Sequence, residues 1–346
     1  MARTALVTGG SRGIGAAISK ALKAAGYQVA ATYAGNDDAA KAFTEETGIK
    51  TYKWNVADYE ESKAGLEQVE AEVGPIDVQT ANGNVDIRVR DEAEACAVAR
   101  QYVSYFQGPV TDWTAPDQRL LRRAIPENRL RVYEVRDVIG TLADEGSVLE
   151  LRRDWGDGMV TALIRIEGKP YGLIANNPKH LGGAIDGDAA SKASRFLQLC
   201  DAHGLPVISL CDTPGFMVGP EAEKTGLVRK VCRMFVTGAA VQVPIYAIVL
   251  RKGYGLGAMA MVAGGFKEAV LTAAWPTGEF GGMGLEGAVH LGFRRELEAV
   301  EDPEERQALY QKLLDDLYDR GKALNFATAT EIDAVIDPMD TRGYIA

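Results

Sequence analysis

An α/β fold in two unequal parts is what this sequence predicts: a partial doubly wound parallel segment, then a longer region of strands and helices. Three observations carry the prediction. Residues 1–78 alternate short apolar strands with helices at the spacing of parallel βαβ units. Beyond residue 79, buried strands recur as "LPVISLCD", "VPIYAIVL" and "AVLTAAW". The turns that leave strands in both regions are built from small residues: "TGGSRGIG", "DTPGF" and "GYGLGAMAM".

The elements follow in order. "TALVTGGSRGIGAAISKALKAAG" reads as a strand, a glycine-rich turn and an amphipathic helix whose Ala17, Ile18, Ala21 and Leu22 share one face. Gly9, Gly13 and Gly15 remove side chains where backbone must approach a pyrophosphate, and the helix N-terminus faces that anion. "YQVAATYAG" is a second strand, followed by a helix near residues 37–47; "IKTYKWNV" is a third, followed by a helix through "YEESKAGLEQVEAEVG". A lone glycine-rich turn is often only a tight loop, but strand, turn, helix and next strand in order favour nucleotide binding. NAD binders usually end the second strand with Asp or Glu for the ribose hydroxyls. Here Tyr33, Ala34 and Gly35 stand there, with Arg12 in the turn, which suits the 2′-phosphate of NADP.

"TGGSRGIG", with Asn55 and Val56, resembles the short-chain dehydrogenase/reductases, acetoacetyl-CoA reductases in particular, over about the first 78 residues. The resemblance implies a Rossmann segment with an NADP site of Gly9, Ser11, Arg12, Gly13, Ile14, Gly15, Tyr33, Asn55 and Val56. Those enzymes continue with an Asn-Asn-Ala-Gly turn, a catalytic Ser and a Tyr-x-x-x-Lys pair, none of which stands here in its place. Tyr59 and Lys63 have the spacing, yet they precede the fourth strand and read as the solvated face of a charged helix. A 3-oxoacyl-CoA reductase is therefore the runner-up reading: its cofactor half is present and its hydride-transfer set is missing.

Composition narrows the function classes. A hydrophobic share of 47% and a charged share of 25% are ordinary for a globular protein. A net charge of −10 disfavours nucleic acid or an anionic membrane as partner. Cys96, Cys200, Cys211 and Cys232 show no CxxC spacing, and His180, His203 and His290 show no ligand spacing, so no metal site is expected. The start reads as a strand and not as a signal peptide, no apolar run reaches membrane-spanning length, and a cytoplasmic location is expected.

In the second region "RDEAEACAVARQYVSYF" has helical spacing, and "QGPVTDWTAPDQ" is a turn-rich linker. "MVTALIRIEGKPYGLIANNP" reads as two strands joined at Glu-Gly-Lys-Pro. Asp188 is the expected N-cap of the helix "AASKASRFLQLCDA", and Gly204 its stop. A strand then leads through "DTPGF" into the helix "EKTGLVRKVCRMFVTGAAV", and the next strand leads into a helix starting within "GYGLGAMAMVAGG". "DPEERQALYQKLLDDLYDRGKAL" is a solvent-facing amphipathic helix. Gly257 and Ala258 are expected to expose backbone N–H groups at a helix start, which could hold a developing oxyanion without a titratable side chain. A close-packed helix crossing would use the same small residues.

The order "ANNPKHLGGAIDGDAASKASRFLQLCDAHGLPVISLCDTPGFMVGPEAEKTG", "RKGYGLGAMAM", "WPTGEFGGMG" resembles the C-terminal domain of biotin-dependent acyl-CoA carboxyltransferases, of the propionyl-CoA carboxylase β-subunit type. The resemblance runs over residues 79–346: 79–121 are similar to the tail of the family's N-terminal domain and a linker, and 122–346 to the C-terminal domain. It implies a crotonase-like ββα superhelix. In that family carboxybiotin, presented on a separate carrier, loses carbon dioxide, and the ureido nitrogen takes the α-proton of the acyl-CoA. Oxyanion holes hold the ureido oxygen and the enolate. The resemblance places the biotin-side hole at Gly257 and Ala258, with Gly182, Gly183, Asp212, Pro214, Gly215, Phe216, Tyr254 and Gly255 around it. Leu256 departs from the Gly-Gly-Ala spacing of the propionyl-CoA enzymes, and no Met-Lys-Met biotin-attachment motif occurs. A biotin carboxylase and a biotin carrier in trans, and a homo-oligomer, are what the resemblance implies.

The two resemblances meet at about Val78 with no Gly/Ser- or Pro-rich linker, so the chain reads as a fusion of two incomplete pieces. The leading reading is the carboxyltransferase. A third is a catalytically silent chimera acting as a binding or assembly module.

Overall fold

The computed structural model describes residues 4–56, 58–74, 83–129 and 131–346. The expected junction at Val78 and the side chain of Tyr59 lie outside the described residues. The chain divides into two compact units, Met1–Val85 and Asp86–Ala346.

In the first unit β1 (Thr4–Val7), β2 (Gln28–Tyr33) and β3 (Lys50–Lys53) form a parallel sheet in the order β1-β2-β3. The Gly13–Ala24, Asp37–Thr47 and Tyr59–Glu72 helices follow the three strands. Ala5, Val29, Ala31, Phe43 and Ile49 supply a small core. Asn36 caps the second helix by accepting from the Ala39 N–H at 2.9 Å, and Gly48 ends it at φ 64°.

The second unit is built on an eight-stranded sheet. β4 (Leu149–Leu151), β5 (Met159–Ile166) and β6 (Lys169–Asn176) pair antiparallel. β7 (Val207–Thr213), β8 (Ile245–Tyr254) and β9 (Leu271–Ala274) then add to β6 in parallel. β10 (Glu279–Gly281) pairs with β8, and β11 (Ala334–Val335) with β9. The β5–β6 hairpin turns on Glu167 and Gly168, both at positive φ, the pattern of a two-residue type I′ loop. All seven residues of β7 are buried, because both faces of the sheet are covered. On one face Leu163, Ile174, Val207 and Val249 meet the Gly187–Ala202 and Leu227–Ala240 helices. On the other, Ile164, Leu173, Ile208 and Ile248 pack with Val135, Val138, Ile139 and Leu142 of the Val135–Leu142 helix.

Two expectations need correction. The Gly187–Ala202 helix is capped by Asp186, whose carboxylate accepts from the N–H groups of Asp188 (3.1 Å) and Ala189 (2.8 Å). Asp188 instead lies in the first turn and pairs with Lys230 at 3.1 Å. The helix expected from Glu223 onward is two: Pro220–Lys224 ends before Gly226, which turns left-handed at φ 72°, and Leu227–Ala240 starts after it. Among the described residues no helix is long and apolar enough to cross a membrane.

Candidate active site

Parallel α/β sheets leave a crevice at the carboxyl ends of their strands, because the chain must turn away there into helices. β6, β7 and β8 lie side by side and end at Asn176, Thr213 and Tyr254. Two of the small-residue turns singled out in the sequence, Asp212–Phe216 and the one from Tyr254, leave β7 and β8 here, and the Gly182–Gly183 turn follows β6. The β7–β8 register shifts between Cys211 and Thr213, a local irregularity that ends regular pairing where the Asp212–Phe216 turn begins.

Backbone bonds tie the turns together. The Ile185 N–H donates to the Gly215 carbonyl at 3.0 Å, and the Met217 N–H to the Ile185 carbonyl at 2.9 Å. Thr213 Oγ1 accepts from the Gly215 N–H at 3.1 Å, folding the turn on itself. Glycine is required by space. A Cβ at Gly183 would lie 2.3 Å from the Asp212 carbonyl oxygen, and one at Gly257 would lie 2.7 Å from Gly215 Cα. Gly215 also sits at φ 125°, a conformation closed to ordinary L-residues. Phe216 turns its ring edge to Phe235, centroids 5.9 Å apart, and Pro214 stands beside Gly183.

The Gly255–Met261 helix starts at Gly255, with Tyr254 as N-cap. The N–H groups of Gly255, Leu256 and Gly257 therefore fall in the first turn, where no intrahelical acceptor exists. Ala258 is the fourth helical residue, and at that position the N–H points back to the N-cap carbonyl. Ala258 is fully buried, whereas Leu256 is 62% exposed. The Leu256 and Gly257 N–H groups thus lie in the first turn, directly ahead of Ala258, the second residue of the pair expected from the sequence.

A buried ion cluster braces this end of the sheet. Asp212 is completely buried and Arg251 is 3% exposed; Arg251 Nη2 stands 3.0 Å from Asp212 Oδ2. Asp212 Oδ1 accepts from the Lys252 N–H at 3.1 Å, and the Asp212 N–H donates to Asn176 Oδ1 at 3.0 Å. Arg251 Nη1 also donates to the carbonyls of Arg129 (3.1 Å) and Arg131 (2.8 Å). The Lys252 ammonium donates to the Gly182 carbonyl, holding the third turn in place. Burial lowers the Lys252 pKa, and the neighbouring Asp212 carboxylate opposes that shift. Tyr254 Oη donates to Glu279 Oε2 at 2.9 Å; burial, then the Glu279 charge, pushes its phenol far above the usual value.

The cleft thus offers backbone dipoles and a floor of paired charges, and His180 enters it through its carbonyl, which accepts from the Gly183 N–H at 2.9 Å, while its ring pairs with Asp186 at 3.0 Å. Arg251, Lys252 and Glu279 escaped the sequence reading. The available signal was an Arg-Lys pair ending the apolar run "AIVLRK" and an Asp ending "VISLCD", opposite charges at the ends of two buried strands. Among the described residues no group of His, Cys, Asp and Glu could hold a metal, and all four cysteines are free.

In the first unit Gly15 packs on the glycine turn, where a Cβ would lie 2.2 Å from the Gly9 carbonyl oxygen. Gly9 and Gly13 both have positive φ. Ser11 is buried, Arg12, Ile14, Asn55 and Val56 are exposed, and Tyr33 ends β2 beside the Asp37–Lys53 pair.

Comparison with known proteins adds an independent line. Residues 47–346 match the carboxyl transferase domain family, a match that begins ahead of the junction expected at Val78. The propionyl-CoA carboxylase β chain of Saccharopolyspora erythraea is 32% identical over 286 residues, 77% of this chain and 52% of that protein. The methylmalonyl-CoA carboxyltransferase 12S subunit of Propionibacterium freudenreichii is 32% identical over 300 residues, 82% of this chain and 56% of that one. A solved single-chain, multi-domain long-chain acyl-CoA carboxylase superposes with a TM-score of 0.74 at 50% identity, over 92% of this chain and 32% of that one. The transcarboxylase 12S hexamer, solved with methylmalonyl-CoA bound, gives a TM-score of 0.71 at 28% identity, over 92% and 63%. The fold is therefore the crotonase-like α/β fold of these structures. The chain spans about half the length of the curated relatives it matches. None of the relatives named here is a reductase.

Proposed function

This chain belongs to the carboxyl transferase domain family, and on that premise we propose that it provides the biotin-side half of an acyl-CoA carboxyl transfer site. The observation that carries this reading is the meeting of three turns, at Gly182–Gly183, Asp212–Phe216 and Tyr254–Gly257, on the carboxyl ends of β6, β7 and β8. Leu256 and Gly257 present two N–H groups in one helical turn, without intrahelical acceptors, beside a cleft walled by glycine backbone. Such fixed dipoles stabilise charge that develops on an oxygen, because they need no reorganisation as it forms.

Carboxybiotin, the co-substrate carried on another chain, supplies carbon dioxide and a ureido group able to take the α-proton of the acyl-CoA. This chain's part is positional. Leu256 and Gly257 hold the ureido oxygen where its negative charge builds. Gly215 and Gly183 let the ring approach the backbone, and Asp212, locked by Arg251 and Lys252, keeps the turns in register. A biotin carboxylase and a biotin carrier act in trans, the acyl-CoA is propionyl-CoA-like, and the chain works as a homo-oligomer.

The test is decarboxylation of methylmalonyl-CoA by the purified chain with free biotin. The expected result is carbon dioxide release that rises with biotin concentration and saturates. Release indifferent to biotin at every protein concentration would overturn the reading.

A separate reading concerns the first unit. We propose that the Gly9–Gly15 turn binds NADP, on the strength of the Gly15–Gly9 approach and of exposed Arg12. NADPH fluorescence should change on titration. Arg12→Ala should weaken NADPH roughly 10-fold while leaving NADH unchanged, because a charged hydrogen bond to the 2′-phosphate is lost. Oxidation of NADPH by acetoacetyl-CoA is expected to be absent. Equal affinity for both nucleotides, or none for either, would refute the assignment.

A further inference from the structure

A cavity of about 650 Å³ lies in the second unit between the Glu92–Ser104 and Gly187–Ala202 helices, and it shares no lining residue with the glycine turns. Small-molecule sites commonly enclose roughly 300–1,000 Å³. Its walls are largely apolar: Ile87 and Val98 on one side, Leu151, Phe196 and Leu199 on the other. Lys192 is set into that wall. It is 1% exposed, and its ammonium donates to the Trp155 carbonyl at 2.8 Å.

An ammonium has three donors, and burying one with donors unmet is costly unless an anion completes the set. Arg195, on the same helix, also lines the cavity, is exposed, and has no ion-pair partner among the described residues. Arg152 is already committed, with Nε 2.8 Å from the Asp86 carboxylate. Asp86 is the one acid in the lining, so the wall carries two cations, Lys192 and Arg195, with no carboxylate at ion-pair distance among the described residues, and no unpaired carboxylate.

We propose that this cavity binds an unbranched fatty acid, with its alkyl chain along the apolar wall between the two helices and its carboxylate on Lys192 and Arg195. The site is independent of the carboxyl-transfer reading, since neither its residues nor its chemistry belong to the glycine turns. A neutral chain of the same length fills the apolar wall and leaves both cations unmet. The head group therefore decides the affinity.

The charge on Lys192 also sets a pH dependence. Burial lowers its pKa to about 8, with Arg136 and Arg152 acting in the same direction and Glu150 and Asp157 opposing. Arg195 stands on the same helix and also lines the cavity. The ammonium is present below that value and lost above it, while the fatty acid stays ionised, so affinity falls as pH rises past 8.

The experiment is calorimetric titration of the full chain with decanoate and, in parallel, with decanol. The wild type should bind decanoate at least roughly 10-fold more tightly than decanol at pH 7, in line with a charge-assisted hydrogen bond. That preference should vanish in Lys192→Met and shrink in the wild type at pH 9.5. Ala99→Trp, which fills the cavity from an exposed position on the Glu92–Ser104 helix, should weaken both ligands. If Lys192→Met does not fold, the wild-type pH series and Ala99→Trp decide the matter. No decanoate binding, equal affinity for acid and alcohol, or binding untouched by Ala99→Trp would overturn the proposal. Loss of decanoate binding as the chain self-associates would assign the cavity to a second copy, and overturn it as well.

Discussion

Gly257→Pro should lower biotin-dependent decarboxylation by roughly 100-fold or more, the effect of removing one oxyanion donor, worth about 3 kcal/mol of transition-state stabilisation. The reason is double. Proline has no N–H, so one of the two donors at the helix start disappears. Any Cβ at this position would also lie 2.7 Å from Gly215 Cα and 2.9 Å from the Phe216 nitrogen, which are backbone atoms that cannot swing aside. Gly257→Ala separates the two causes. It keeps the N–H and even favours helix by about 1 kcal/mol over glycine, yet it must push the Asp212–Phe216 turn away. Its rate should fall between wild type and Gly257→Pro, and its Tm should fall too, because forcing the turn aside costs roughly 1–3 kcal/mol. Rates equal to wild type in both variants would mean that Gly257 serves helix packing alone.

Asp212→Ala should cost stability before it costs chemistry. Asp212 is fully buried and is the acceptor for Arg251 and for the Lys252 N–H. Its removal leaves the Arg251 guanidinium, 3% exposed, without a carboxylate in a low-dielectric interior. Breaking a buried pair from one side costs about 3–5 kcal/mol. In a unit of this size that is a fall in Tm on the order of 10 °C. The Lys252 ammonium would keep the Gly182 carbonyl, but its second neighbour, 3.7 Å away at Asp212 Oδ1, would be gone. Thermal unfolding followed by circular dichroism measures the cost. A shift within a degree or two would show that water or a neighbouring group replaces the carboxylate.

Much of this architecture is legible in the sequence because it is written locally. β7 and β8 show as continuous apolar runs, as strands covered on both faces must. The Gly-rich turns mark the ends of both strands, and the β5–β6 hairpin announces itself at Glu167-Gly168. What stayed hidden depends on choices between near-equal local options or on contacts across the sheet. "IDGDAAS" offers two aspartates as helix caps, and Asp186 wins because its carboxylate reaches two N–H groups at once. "GYGLGA" offers several starting points for a helix. The positive φ of Gly255, 59°, sets the start there, which leaves the Leu256 and Gly257 N–H groups in the first turn. The Asp212–Arg251–Lys252 cluster joins residues some forty positions apart, and only the parallel pairing of β7 with β8 brings them together. The Tyr254–Glu279 bond depends likewise on β10 adding beside β8.

If backbone N–H groups at one helix start receive the biotin ureido oxygen, those groups should sense the ligand directly. Amide chemical shifts of the 15N-labelled chain, followed while biotin methyl ester is added, read those groups directly. Saturable shifts should be largest at Leu256 and Gly257, smaller at Gly183 and Gly215, and lost in Gly257→Pro. Amides of the Tyr254–Ala258 segment that stay fixed at saturating ligand, or shifts confined to other parts of the chain, would contradict it.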